Sequence, residues 1–110
     1  MKYIHLITWL VFLLLPCSLS LAGEIGCSGT VAVIMADHHS CTDETGKKQL
    51  AFKLSSGGGN WLCSGSDGSS ALVLSAKMSD KNISVYISDD GGATCQSHAN
   101  YLKPSYIVLP

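Results

Sequence analysis

Cys27, Cys41, Cys63 and Cys95 constrain this 110-residue chain more than any other feature of it. They follow an amino-terminal stretch that reads as an export signal, and an even number of cysteines in a short exported segment reads as a disulfide framework. A segment of this size buries only a modest share of its surface, and such domains are commonly held by staples. No pair of these cysteines has the two-to-four-residue spacing of a zinc site. Four cysteines allow three pairings. The favoured pairs are Cys27–Cys41 and Cys63–Cys95, worth ~3 and ~3.7 kcal/mol in the loop-closure account. Against a total stability of ~5–15 kcal/mol, such bridges are large terms.

The export reading rests on residues 1–22. Lys2 supplies a positive start, Ile4 to Leu15 is apolar apart from His5 and Thr8, and Pro16 ends the run. Ser20 and Ala22 then offer small side chains at the −3 and −1 positions of a cut before Gly23. The apolar run is about a dozen residues, short of the ~20 that a spanning helix needs. Cys17 leaves with the signal. Residues 23–110 are therefore expected to form one disulfide-stabilised domain, secreted or periplasmic, with no membrane attachment after cleavage.

Charge excludes two classes of partner. Seven basic and eight acidic residues give a net charge of −1, and the chain contains no arginine. Phosphate and base-edge readout lean on arginine and a basic surface, so nucleic acid is not expected as a partner. The lysines are dispersed, with only Lys47 and Lys48 adjacent, so no polybasic membrane patch is present either.

Hydrophobic patterning predicts a mainly β domain with one helix. Gly26 to Gly29 reads as a turn and Thr30 to Ala36 as a buried strand. Asp37 to Lys48 is polar and reads as a loop or hairpin connection. Gln49 to Ser55 alternates, with Leu50, Phe52 and Leu54 on one face. A flexible turn and a short strand at Trp61–Cys63 follow, with Trp61 expected in the core. Ser70 to Ser79 favours helix, capped by Asp67, Ser69 or Ser70, with Ala71, Leu74 and Met78 on one face. Ile83 to Ser88 alternates again, placing Ser84, Tyr86 and Ser88 outward. Asp89 to Gly92 is a turn, and Tyr106 to Leu109 a last strand. Three strands, a helix and two strands is the order of a five-stranded OB-like Greek-key barrel. The alternative is an open antiparallel sheet with one packed helix.

Trp61-Leu62-Cys63, the stretch Ser70 to Lys81, Ile83 to Ile87, Thr94-Cys95 and Ser105 to Leu109 together resemble a group of small secreted bacterial proteins without assigned function. More remotely, the order is similar to the B subunits of the subtilase-cytotoxin type. The resemblance covers about half the chain. It implies an OB-like fold, export, a homo-oligomeric ring and a glycan or protein partner.

The chemistry-bearing residues are few. His38 and His39, beside Asp37, Asp43 and Glu44, are the candidate metal ligands, but adjacent residues on a strand point to opposite faces and rarely chelate one ion. Ser66 or Ser69 with His98 makes no recognisable nucleophile motif. Tyr86, flanked by Ser84 and Ser88, is the candidate ligand contact, an outward aromatic ring suited to a sugar or another subunit. No cofactor is implied. The expected function is an exported binding module recognising glycan or protein rather than an enzyme; a small periplasmic enzyme or enzyme inhibitor is the alternative.

Overall fold

A computed structural model describes residues 23–110. The export segment expected over residues 1–22, with its cleavage site and Cys17, lies outside the described residues. Five strands form one antiparallel sheet: β1 (Glu24–Thr42), β2 (Lys48–Leu54), β3 (Leu62–Cys63), β4 (Asn82–Ser88) and β5 (Tyr106–Val108). Their order across the sheet is β3-β2-β1-β4-β5. Helix α1 (Asp67–Ser79) joins β3 to β4.

β1 organises the sheet. Its first half, Glu24 to Thr30, pairs with β4, and its second half, from Val31, pairs with β2. Register shifts follow Val31, Met35 and His38, and Asp37 takes a left-handed φ of 55°. Bulges of this kind bend a strand and increase its twist. Two expectations are corrected here. Gly26 to Gly29 is strand, not turn, and most of the supposed loop after Ala36 is strand as well. Gly26 serves a close approach: a Cβ there would lie 3.0 Å from the Tyr86 ring.

The turn proper is Asp43 to Lys47. The Asp43 carboxylate accepts hydrogen bonds from the Thr45 hydroxyl at 2.6 Å and from the Thr45 and Lys47 backbone N–H groups at 2.9 and 3.0 Å. It also accepts from Gln49 Nε2 at 3.1 Å. These bonds, the Thr45 hydroxyl foremost, hold its pKa at about 2. The folded value lies below that of the unfolded chain, ~3.9. The stabilisation is therefore complete above that value and is lost as pH falls toward about 2. Urea midpoints measured at about pH 5 and about pH 2 are expected to differ less in Asp43→Asn than in the wild type.

The core lies between the sheet and α1. Phe52, Ile83, Val85 and Ile87 on the sheet and Val73 and Ala76 on the helix are fully or almost fully buried. The expected alternation of β2 and β4 is present: Leu50, Phe52 and Leu54 join this core, and Ser84, Tyr86 and Ser88 turn away from it. α1 starts earlier than its apolar pattern suggests. Ser66 is the cap, accepting from Ser69 N–H at 3.1 Å, and Asp80 ends the helix in the left-handed conformation. The buried face is also different. Val73 and Ala76 face the sheet, whereas Leu74 is 45% and Met78 86% exposed.

The sheet does not close into the expected barrel; it is the open sheet with one packed helix. β3 and the segment before β5 meet only at one parallel bridge, Leu62 to Leu102. Cys63 N–H donates to Leu102 O and Tyr101 N–H to Trp61 O, both at 2.8 Å. Pro104 has no N–H to continue that ladder. Beyond it, Ser105 N–H donates to Tyr86 O at 2.8 Å, and β5 pairs with β4 instead.

The disulfides are Cys27–Cys95 and Cys41–Cys63, with Cα separations of 5.5 and 5.2 Å. The favoured pairs Cys27–Cys41 and Cys63–Cys95 are thus overturned. The physical reason is β1 itself. Cys27 and Cys41 lie on the same strand, and at ~3.3 Å per residue they are tens of ångströms apart along it, beyond the ~7 Å reach of a disulfide. Cys27 instead ties the core side of β1 to the segment after β4, and Cys41 ties the far end of β1 to β3.

Candidate functional site: an aromatic face away from the core

Residues 23–110 contain five aromatic residues, Phe52, Trp61, Tyr86, Tyr101 and Tyr106. Only Phe52 belongs to the main core. In a small domain, aromatic rings are the largest apolar groups available for burial. Here the other four stand on the sheet face turned away from α1, in two stacked groups.

The first group is built on β4 and β5. Tyr86 and Tyr106 are directly opposite in the antiparallel register. Their rings stack with centroids 4.6 Å apart and 22° between planes. Tyr86 is half-buried because it lies over Gly26, the residue opposite it on β1. Tyr106, at the sheet edge, is 49% exposed. Partial burial, and after it the Glu24 carboxylate, push the Tyr106 phenol above its ordinary pKa. Beside the rings, Ser28 and Ser84 share a hydroxyl–hydroxyl bond of 3.0 Å. Ser88, the third residue expected here, is engaged elsewhere: its hydroxyl accepts from Asp90 N–H at 3.3 Å in the turn after β4.

The second group covers the Cys41–Cys63 disulfide. The two cysteines and Ala51 form a small buried cluster, against which Met35, Trp61 and Tyr101 pack. Trp61 is therefore not in the core expected for it; it is half-buried on this outer cluster. Tyr101 runs nearly parallel to Trp61, at 11° with centroids 6.3 Å apart. His38 stacks on Tyr101 at 4.1 Å, and His39 on His38 at 4.4 Å. Lys53 completes the group, its Nζ 4.6 Å from the Trp61 ring centroid in a cation–π contact.

The two histidines do not point to opposite faces. The left-handed Asp37 and the register shifts around it break the alternation of β1, and the rings lie side by side. His38 Nδ1 accepts from Ser40 N–H at 3.0 Å. Among the described residues, no group of three or more His, Cys, Asp or Glu side chains is placed to hold a metal ion. His98 lies with Nδ1 2.8 Å from the Ala99 carbonyl, and Ser66 acts as the helix cap.

The structure thus keeps Tyr86 and Ser84 together and adds Tyr106 beside them. The pairing was within reach of the sequence, since both tyrosines fall in predicted strands, but it depends on β4 and β5 being neighbours. Tyr101, at a left-handed φ of 59° in an irregular segment, carries no periodic signal at all. Among the described residues, no helix is long and apolar enough to cross a membrane. No protein-family model, curated protein or solved structure matches the chain.

Proposed function

We propose that the chain is an exported recognition module that binds a glycan on the outer face of its sheet. The observation that carries this reading is the division of its aromatic residues, one in the core and four on the opposite face. Rings held by their neighbours lose little freedom on binding and present flat apolar surface with a polar edge. The C–H faces of a sugar ring match such a platform, and the Ser28 and Ser84 hydroxyls beside Tyr86 are donors and acceptors of the kind that orient sugar hydroxyls. The two disulfides suit an oxidising, extracellular compartment.

The test is a titration of the disulfide-bonded protein with oligosaccharides selected from a glycan array. Wild-type protein is expected to bind, and Tyr106→Ala to bind roughly tenfold more weakly or worse, the loss typical of an aromatic contact at a binding centre. Binding that is unchanged in Tyr106→Ala argues against this face as the site.

A further inference from the structure

Away from the aromatic face, the β1–β2 turn, the start of α1 and the segment before β5 enclose a groove of about 450 Å³. That is the size of a small-molecule site. Its walls include Glu44, Thr45, Ser66, Ser69, Lys103 and Ser105. No aromatic ring lines it, so it lacks the platform on which a sugar stacks.

The charges along the groove are not equivalent. Asp43 is engaged by four hydrogen bonds that build the turn. Nearby, Lys47 is paired with Asp67 at 3.0 Å. Glu44 and Lys103 make no ion pair or side-chain hydrogen bond among the described residues, and neither do the hydroxyls of Ser69 and Ser105. Lys103 is nonetheless positioned. Its stem lies against the buried Gly65, where a Cβ would come within 2.9 Å of Cε and 3.1 Å of Cγ. Gly65 also has φ +88°, a conformation that side-chain-bearing residues rarely adopt. Pro104, buried next to Lys103, fixes the backbone on its other side. Lys103 is exposed, but its stem is laid on a glycine beside a buried proline, and its ammonium group has no counter-ion among the described residues.

We infer that this groove binds a small zwitterion of the amino-acid type. Lys103 takes the carboxylate, Glu44 takes the ammonium group, and the serine hydroxyls complete the hydrogen bonds of both. A ligand carrying one charge can engage only one of Glu44 and Lys103, both of them exposed, and so forfeits one charge-assisted contact.

The experiment is a ¹H–¹⁵N chemical-shift titration of the disulfide-bonded protein. The probes are glycine, L-serine, L-glutamate and L-lysine, with acetate and ethanolamine as half-ligands. At least one amino acid is expected to give saturable shifts confined to residues 44–45, 65–69 and 103–105. Acetate and ethanolamine bind roughly tenfold more weakly or not at all, as loss of a charge-assisted hydrogen bond requires. Lys103→Met and Glu44→Gln each weaken binding by a similar factor. Gly65→Ala, which displaces the lysine stem and keeps the charge, weakens it too. Three results overturn the inference: no saturable shift with any amino acid, acetate binding as tightly as the amino acids, or affinity unchanged in both charge variants.

Discussion

Replacing Cys27 and Cys95 together by alanine is expected to lower the stability of the oxidised protein by about 4 kcal/mol. The two residues are 68 apart in sequence, and a loop of that length gives this figure in the loop-closure account. The Cys41–Cys63 bridge, with a separation of 22, is worth about 3 kcal/mol on the same basis. Together they approach the whole stability of a domain this small, ~5–15 kcal/mol. Urea denaturation is the measurement. Cys27→Ala/Cys95→Ala is expected to unfold at a clearly lower midpoint but still cooperatively, and loss of both bridges to abolish the cooperative transition. The first bridge has the larger effect because it closes the longer loop; it also ties the segment around Cys95 to β1. That segment also meets the β2–β3 turn, where Gln96 donates from Nε2 to Ser56 O at 3.4 Å. A midpoint unchanged by the double substitution contradicts this reading of how the segment is held.

Phe52→Ala is expected to cost ~3–5 kcal/mol, the usual penalty for emptying a fully buried aromatic site. Phe52 is 0% exposed and sits between the helix residues and the strands. No other aromatic ring among the described residues is placed to fill the space. Tyr106→Ala, at an edge strand and half exposed, is expected to change stability by no more than ~0.5–1 kcal/mol. The contrast between the two substitutions in one denaturation series separates the aromatic ring that holds the fold from those on the outer face. Equal losses would mean that the outer rings are structural.

Strand identity was legible where burial is one-sided. β2 and β4 alternate because one face meets the core, and a period of two follows directly. β1 was legible only in its middle. Gly26, Ser28 and Gly29 look like turn residues, and His38 to Thr42 is polar apart from the buried Cys41, because those parts of the strand are held by backbone pairing rather than by an apolar face. A Cys27–Cys41 bridge requires the chain to turn between the two residues, and β1 runs through both. The helix was visible by composition, but its buried face was not. Leu74 and Met78 are long apolar residues, yet Val73 and Ala76 are the ones that pack against the sheet. That the sheet stays open turns on Pro104, a local backbone feature with no hydrophobic period.

The candidate site was legible in one part. Tyr86 and Ser84 announce themselves as outward residues of an alternating strand. Tyr106 becomes their partner only through the pairing of β5 with β4. The Trp61–Tyr101–His38–His39 stack needs three segments to converge over the Cys41–Cys63 bridge, which is a property of the tertiary fold.

A glycan array probed in parallel with wild-type protein, Tyr106→Ala and Phe52→Leu tests the account most directly. Phe52→Leu keeps a large apolar group in the core and reports any loss that comes from stability alone. The account predicts a discrete set of glycans bound by the wild type, retained by Phe52→Leu and lost or strongly weakened in Tyr106→Ala. A wild-type protein that binds no glycan, or binding that survives in Tyr106→Ala as well as in Phe52→Leu, would contradict it.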